Sequence, residues 1–401
     1  MMGALYQLLP VLFPVAVPRQ RLGFLALFLH WGGLVTMAAG FGWLGSAGVA
    51  AGGSLLVTAG LIYVLHFAAT VHRVPRERRG FNWTGIGVAL GFYVLVLAAG
   101  LTLALNKHFA FLGGTGSHMV FGLDLDLHLG LYQVLAIHLA LAIGGWVTTL
   151  SIAIGYKLIP MFSLAHPIHD EHRHLALGLV SGATLATTLI FFLAPVLPSG
   201  AQAVSQAASQ ATGLTTGIAT GLGAELNYSG HLGYLVALGV ALIAYILGMA
   251  FFVFDSVRTL KQHKRQIDWV SWYAVTGMVA LLLSLLLLLA RVVLALFNRG
   301  LNPGIGVGSA DSGIPSGIDL IRPAIFLALL GWGGGMVAGH ATKIVPFLTW
   351  LVAFSPRVGK EKVPTMEELI NRPRVGDAYA LFVPGVAVTT VALLVNGLLP
   401  A

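Results

Sequence analysis

The chain has 401 residues, of which 57% are hydrophobic and only 9% charged, with a mean hydropathy of +0.88. Soluble domains carry about 25% charged residues, so the composition excludes an ordinary water-soluble enzyme, and it excludes a disordered or nucleic-acid-binding chain despite a formal net charge of +8. The absence of cysteine rules out disulfides, thiolate metal clusters and thiol catalysis, while 14 histidines stand against only 14 acidic residues.

Residues 1–17 are apolar, but Pro10 and Pro14 interrupt them and no basic region precedes them, so they do not read as a signal peptide. Nine apolar runs of membrane-spanning length follow, at roughly 22–43, 48–71, 84–106, 129–156, 174–197, 229–256, 269–298, 322–350 and 377–399. Only a helix satisfies its own backbone in lipid, so the fold class is an all-α polytopic membrane bundle. Lys and Arg collect on one side of the alternating connections: Arg19 and Arg21, then Arg73 to Arg79, Lys157 and Arg173, Arg258 to Arg265, and Lys343 to Arg374. Of the 22 basic residues only Lys107, Arg291, Arg299 and Arg322 fall elsewhere. The positive-inside bias places the segment before the first span in the cytoplasm and the C-terminus outside a plasma (inner) membrane. The high isoelectric point is therefore a topology signal, and no nucleic-acid partner is implied. Of the outer connections, 198–228 is rich in Ala, Ser, Gly and Thr, 299–321 is rich in Gly and Pro, and 107–128 holds His108, His118, Asp124 and Asp126.

A short pattern recurs at the basic helix ends. Tyr156-Lys157-Leu158-Ile159-Pro160 closes the fourth span and Thr342-Lys343-Ile344-Val345-Pro346 the eighth. In each, a Gly-Trp pair (Gly145-Trp146, Gly331-Trp332) places its Trp 14 residues before the Pro. A partial third copy, Tyr6-Gln7-Leu8-Leu9-Pro10, opens the chain. Each interval holds four spans, so the single membrane domain is expected to contain pseudo-symmetric four-helix units, at about 1–17 (partial), 18–165, 166–355 and 356–401 (partial). The first copy starts at the tail of its unit, so either a separate membrane subunit supplies the missing helix or the unit is degenerate.

Ionisable residues in lipid are expensive and functional by default. The spans hold almost no carboxylates, Asp255 and Asp268 reading as helix-end residues, which argues against an ion-coupled transporter. They do hold His30, His66, His138 and His340, with Arg291 near an outer end and His128 and His231 at outer helix starts. At about 1.5 Å per residue, His138 lies roughly 15 Å below the start of its helix, near mid-membrane. A neutral imidazole is the natural axial haem or copper ligand in lipid; its plain competitor is a histidine bonded to a neighbouring backbone carbonyl. His138, His128 and His231 are the candidate metal and cofactor ligands, with His30, His66 and His340 behind them. Arg291 suits a haem propionate, and snorkelling explains it as well. The cluster His166, His169, Asp170, Glu171, His172 and His174 has a metal-site composition, and a solvated interfacial connection accounts for it better.

The run Ala136-Ile137-His138-Leu139-Ala140-Leu141-Ala142-Ile143-Gly144-Gly145-Trp146, leading to Tyr156-Lys157-Leu158-Ile159-Pro160-Met161-Phe162, resembles the His-led helix of the haem–copper oxidase-like superfamily. Its shorter single-chain members, related to subunit I and to the nitric-oxide-response protein NnrS, are the nearest in character. Leu330-Gly331-Trp332 through Lys343-Ile344-Val345-Pro346-Phe347-Leu348-Thr349-Trp350 is similar to another of their helices. The family's twelve helices in three four-helix arcs would account for the repeat. The resemblance implies a haem b-binding subunit, with copper beside or in place of haem, that works in electron transfer or O2- and NO-type redox chemistry. A companion subunit and a donor such as cytochrome c or quinol would be its partners. Departures are equally plain: Ala183 to Phe192 lacks the family's His pair, and the eighth span carries His340 alone where the family has two histidines. A complete oxygen-reducing centre is therefore not expected, and a non-catalytic transporter or structural anchor is the alternative function.

Overall fold

The computed structural model describes residues 3, 5, 6, 12, 13, 15, 19–112, 119–120, 123–124, 129–165, 170–193, 232–262, 269–301, 320–365 and 367–396. The described chain is helical apart from one two-residue antiparallel pairing, Met119–Val120 with Leu123–Asp124. In chain order the helices are α1 (Gln20–Ala39), α2 (Gly45–Val71), α3 (Phe81–Phe109), α4 (residues 131–163), α5 (Asp170–Leu193), α6 (Leu232–Lys261), α7 (Trp269–Leu301), α8 (residues 321–353) and α9 (Arg372–Asn396). Among the described residues eight helical stretches are long and apolar enough to cross a membrane, which makes this a multi-pass helical membrane protein.

The first of these stretches, Arg21–Val71, has 51 residues, far more than the ~20 that span a bilayer. It is a hairpin. Gly45 turns the chain with φ +67° and ψ −166°, a conformation closed to L side chains. On its far side a Cβ on Gly52 would strike the backbone of Met37, so the two helices run antiparallel at backbone contact. Such small-residue seams substitute for the hydrophobic drive that lipid cannot supply between helices.

Consecutive helices pack on one another from α1 to α8, and α9 lies against α7 and α8. Two cores result. One, around Tyr63, Phe67, Phe92, Tyr93 and Trp146, is built by α2, α3 and α4. The other, around Tyr245, Met249, Phe252, Met278 and Trp332, is built by α4 to α8. Helix α4 is their shared wall.

The repeated sequence has a structural counterpart. Both α4 and α8 contain a π-helical segment, Ala140–Thr148 and Leu327–Gly334, and each encloses its Gly-Trp pair. A third π segment, Gly40–Leu44, holds the third Gly-Trp pair of the chain, Gly42-Trp43. Glycine is the weakest helix former after proline, so the i→i−4 ladder is easiest to widen there. In α4 the Thr148 and Thr149 hydroxyls donate to the carbonyls five residues back, Ile143 at 2.7 Å and Gly144 at 3.2 Å. The glycine of each pair also admits a neighbour. A Cβ on Gly145 would lie 2.5 Å from the Phe92 ring, and one on Gly331 would lie 2.6 Å from the Ala280 Cβ.

Fourteen residues on, Pro160 and Pro346 were expected to close their helices, yet both are interior, with α4 running to Ser163 and α8 to Ala353. Each proline lacks the N–H that would reach the carbonyl of Tyr156 or Thr342, the first residue of its motif copy. Helix continues because the polar residues that end a hydropathic run still close backbone hydrogen bonds beyond it. Gln7 to Pro10 of the first copy lie outside the described residues, and Tyr6 packs its ring on Tyr63, His66 and Phe67 of α2.

Candidate functional site

His138 sits two residues before the π segment of α4. Its ring is wedged against α3, where a Cβ on Gly100 would lie 3.0 Å from Cε1. The imidazole takes the Val96 backbone carbonyl as its hydrogen-bond partner, while Nδ1 is buried with no partner. A buried ring nitrogen without a partner, beside a backbone carbonyl that can engage the ring, supplies the ingredients of a metal-ligating imidazole. The helix start is pinned as well: Gln133 accepts the Gly130 N–H at 2.7 Å and donates to the Phe191 carbonyl of α5 at 3.3 Å.

His340 on α8 differs from His138 in that its Nδ1 is the bonded nitrogen. Its Nδ1 bonds the Met336 carbonyl at 2.7 Å, and its ring lines a cavity of about 290 Å³ between α4, α6, α7 and α8, shared with Met278, Met336, Ser151 and Ser271. His66 bonds Tyr6 through Nδ1 at 2.9 Å, and burial pushes the Tyr6 hydroxyl up to about 12, so at neutral pH it keeps its proton. His30 lies on α1 with Nδ1 buried and unpartnered. Arg291 is half-buried on α7. His128 and His231, the expected partners of His138, lie outside the described residues. The four described candidate histidines thus occupy four different helices, and no three His, Asp or Glu side chains form a metal-holding group among the described residues.

A second cavity, of about 170 Å³, lies on the face of α4 opposite His138. Ala136, Ala140, Ile143 and Gly144 of α4 face Thr184, Leu242, Tyr245, Leu281 and Ala328 across it. Among the described residues no charged side chain reaches it, the Thr184 hydroxyl is occupied by the Val180 carbonyl at 2.8 Å and that of Ser284 by the Ala324 carbonyl at 2.7 Å. Below it the two Gly-Trp helices meet: the buried Trp332 indole donates from Nε1 to the Thr148 hydroxyl at 3.1 Å. Trp146, in the equivalent position, lies instead on Tyr93, ring centres 4.6 Å apart.

The donor chemistry at His138 fits an axial haem ligand, and the unpartnered nitrogen is the observation in its favour. Space is a separate matter. Neither cavity opens onto His138, whose ring is packed on α3.

Sequence reading missed one constellation. Asp255, read as a helix-end residue, is 1% exposed. Its Oδ2 accepts the Tyr156 hydroxyl at 2.9 Å and its Oδ1 lies 3.2 Å from Nδ1 of His172. Of the 166–174 segment, residues 166–169, with His166 and His169, lie outside the described residues, and 170–174 form the first turns of α5. His172 is tied to Asp255, His174 stacks edge-on to Phe81 with centres 5.2 Å apart, and Arg173 lies over the same Phe81 ring. The signal was present in the periodicity, because Asp255 stands three residues after Phe252 and four before Thr259, on the inward stripe of α6.

No protein-family model, curated protein or solved structure matches this chain.

Proposed function

We propose that the protein is a haem-binding, haem–copper oxidase-like membrane subunit of nine passes, built from pseudo-symmetric four-helix units, that takes part in electron transfer or small-gas redox chemistry. The observation that carries this reading is the buried, unpartnered Nδ1 of His138, whose imidazole is held by the Val96 carbonyl. The shared π segments of α4 and α8 support the repeat. His138 would hold a haem, with His128 or His231 as the partner read from sequence depth. A haem there supplies one-electron transfer. The chain's own contribution is to keep the imidazole neutral, oriented and free of water. A partner membrane subunit and a donor of the cytochrome c or quinol type belong to this reading, with the basic helix ends on the cytoplasmic side.

A pyridine haemochrome spectrum with iron and copper analysis of the purified protein is the test. Stoichiometric haem that is lost in His138→Ala is the expected result; absence of haem, iron and copper refutes it. The second reading, a non-catalytic transporter or structural anchor, is favoured by the packing of His138 directly on Gly100. It predicts that His138→Ala alters complex assembly and leaves every optical band unchanged.

A further inference from the structure

Asp255 is a buried carboxylate on α6. A carboxylate inside a membrane bundle is costly unless it has a task or a partner, and this one has a partner on each side. Tyr156 of α4 donates to Oδ2 at 2.9 Å. His172 of α5 meets Oδ1 at 3.2 Å, and its own side chain is 39% exposed against 2% for Asp255. The three residues therefore run from an exposed imidazole, through a buried carboxylate, to a buried phenol, and they come from three helices.

We propose that His172, Asp255 and Tyr156 form a proton-exchange relay between the water at the basic end of the bundle and its interior, with Asp255 as the proton-holding group. This holds whether or not the protein binds haem. Loading moves a proton from Nδ1 of the His172 imidazolium to Oδ1 of Asp255, turning an ion pair into a neutral acid and a neutral imidazole. The imidazole then takes its next proton from water on its exposed side. Passage inward requires the loaded carboxyl to rotate so that its O–H faces Tyr156; the acid proton then goes to the Tyr156 oxygen while the phenol proton leaves to water, so the tyrosine stays neutral throughout. Tyr156 stands next to the cavity wall and is not itself part of the lining. Its ring packs on Phe252, centres 5.2 Å apart, and Phe252 and Gly155 wall the 290 Å³ cavity. There Ser151, Ser271 and His340 offer the polar partners that buried water requires.

Arg173 of α5 lies over Phe81 of α3 at 5.2 Å and interacts electrostatically with Tyr156. Arg258 on α6 and Lys157 on α4 are exposed. Helix α7 brings no charged side chain to this end, beginning Trp269-Val270-Ser271-Trp272-Tyr273. The competing account is a static ion pair that only ties α5 to α6, with Asp255 permanently ionised.

Infrared spectroscopy of the full-length protein in lipid nanodiscs, with aspartate carboxyls isotopically labelled, separates the two. The expected result is a C=O stretching band of a protonated aspartic acid that grows as the pH is lowered and is missing in Asp255→Asn. Its shift on transfer to heavy water should slow by an order of magnitude in His172→Gln, whose altered side chain is already partly exposed. A second variant, Asp255→Glu, assigns the band by removing it from the aspartate label should Asp255→Asn fail to fold. The proposal is overturned if no such band appears at any pH at which the protein stays folded, or if the band exchanges equally fast without His172.

Discussion

Replacing Trp332 by Phe removes one donor from the only contact described between the indole of one Gly-Trp helix and the backbone-capping hydroxyl of the other. Nε1 lies 3.1 Å from Thr148 Oγ1, and the indole is fully buried against Gly277, where a Cβ would lie 3.2 Å from Cε3. The substitution therefore loses the hydrogen bond and part of the ring volume. Interhelical hydrogen bonds in membrane bundles are worth about 0.6 kcal/mol on average and at most about 1.7 kcal/mol. The volume lost with the smaller ring adds a cavity cost at the low end of the large-to-small range, on the order of 1–2 kcal/mol. Thr148→Val removes the acceptor and also the bond to the Ile143 carbonyl at 2.7 Å, so neither single variant isolates the contact. The double-mutant cycle does. Reversible unfolding in mixed micelles should give a coupling of about 0.6–1.7 kcal/mol. Additivity within the usual ~0.3–0.5 kcal/mol of independent sites would show that α4 and α8 are not joined through this bond, and with it would go the claim that the repeated helices meet there.

Other expectations test the same structure elsewhere. Gly145→Ala places a Cβ 2.5 Å from Phe92 and should destabilise by about 1–3 kcal/mol through overpacking. Gly178→Ala, with nothing within 4 Å of its Cβ, should stabilise α5 by about 0.4–1 kcal/mol through the unfolded chain; denaturant midpoints in micelles compare the two. Because burial raises the Tyr6 hydroxyl from its ordinary 10.0 to about 12, its contribution is fully present below pH 10.0 and is lost as the pH rises through about 12. Melting curves of wild type should fall across that window, and those of Tyr6→Phe should fall less; equal decline would place Tyr6 in water rather than against α2.

Much of the architecture was legible in residue order. Apolar runs of the right length mark each helix because lipid forces every backbone group to be satisfied within its own segment. The hairpin turn falls at Gly45, between the first two predicted runs, and helix ends extend past the predicted ones mainly at basic termini such as Lys157 and Lys261, where charge ends the apolar run without ending the hydrogen-bond ladder. The Gly-Trp and Lys-x-x-Pro spacing marked α4 and α8 as relatives, and both carry a π segment at that position. Read in one dimension, though, His138 and His340 looked alike in kind and different only in depth.

Membrane class and helix positions follow from composition and period, which act residue by residue along the chain. Which side chains meet does not, because it depends on the rotation of each helix about its axis and on contacts between residues far apart in number. That rotation turns His138 toward Gly100 and away from the apolar cavity on the other face of α4. It carries Asp255 from a nominal helix end into a buried site between Tyr156 and His172, 99 and 83 residues away in the chain.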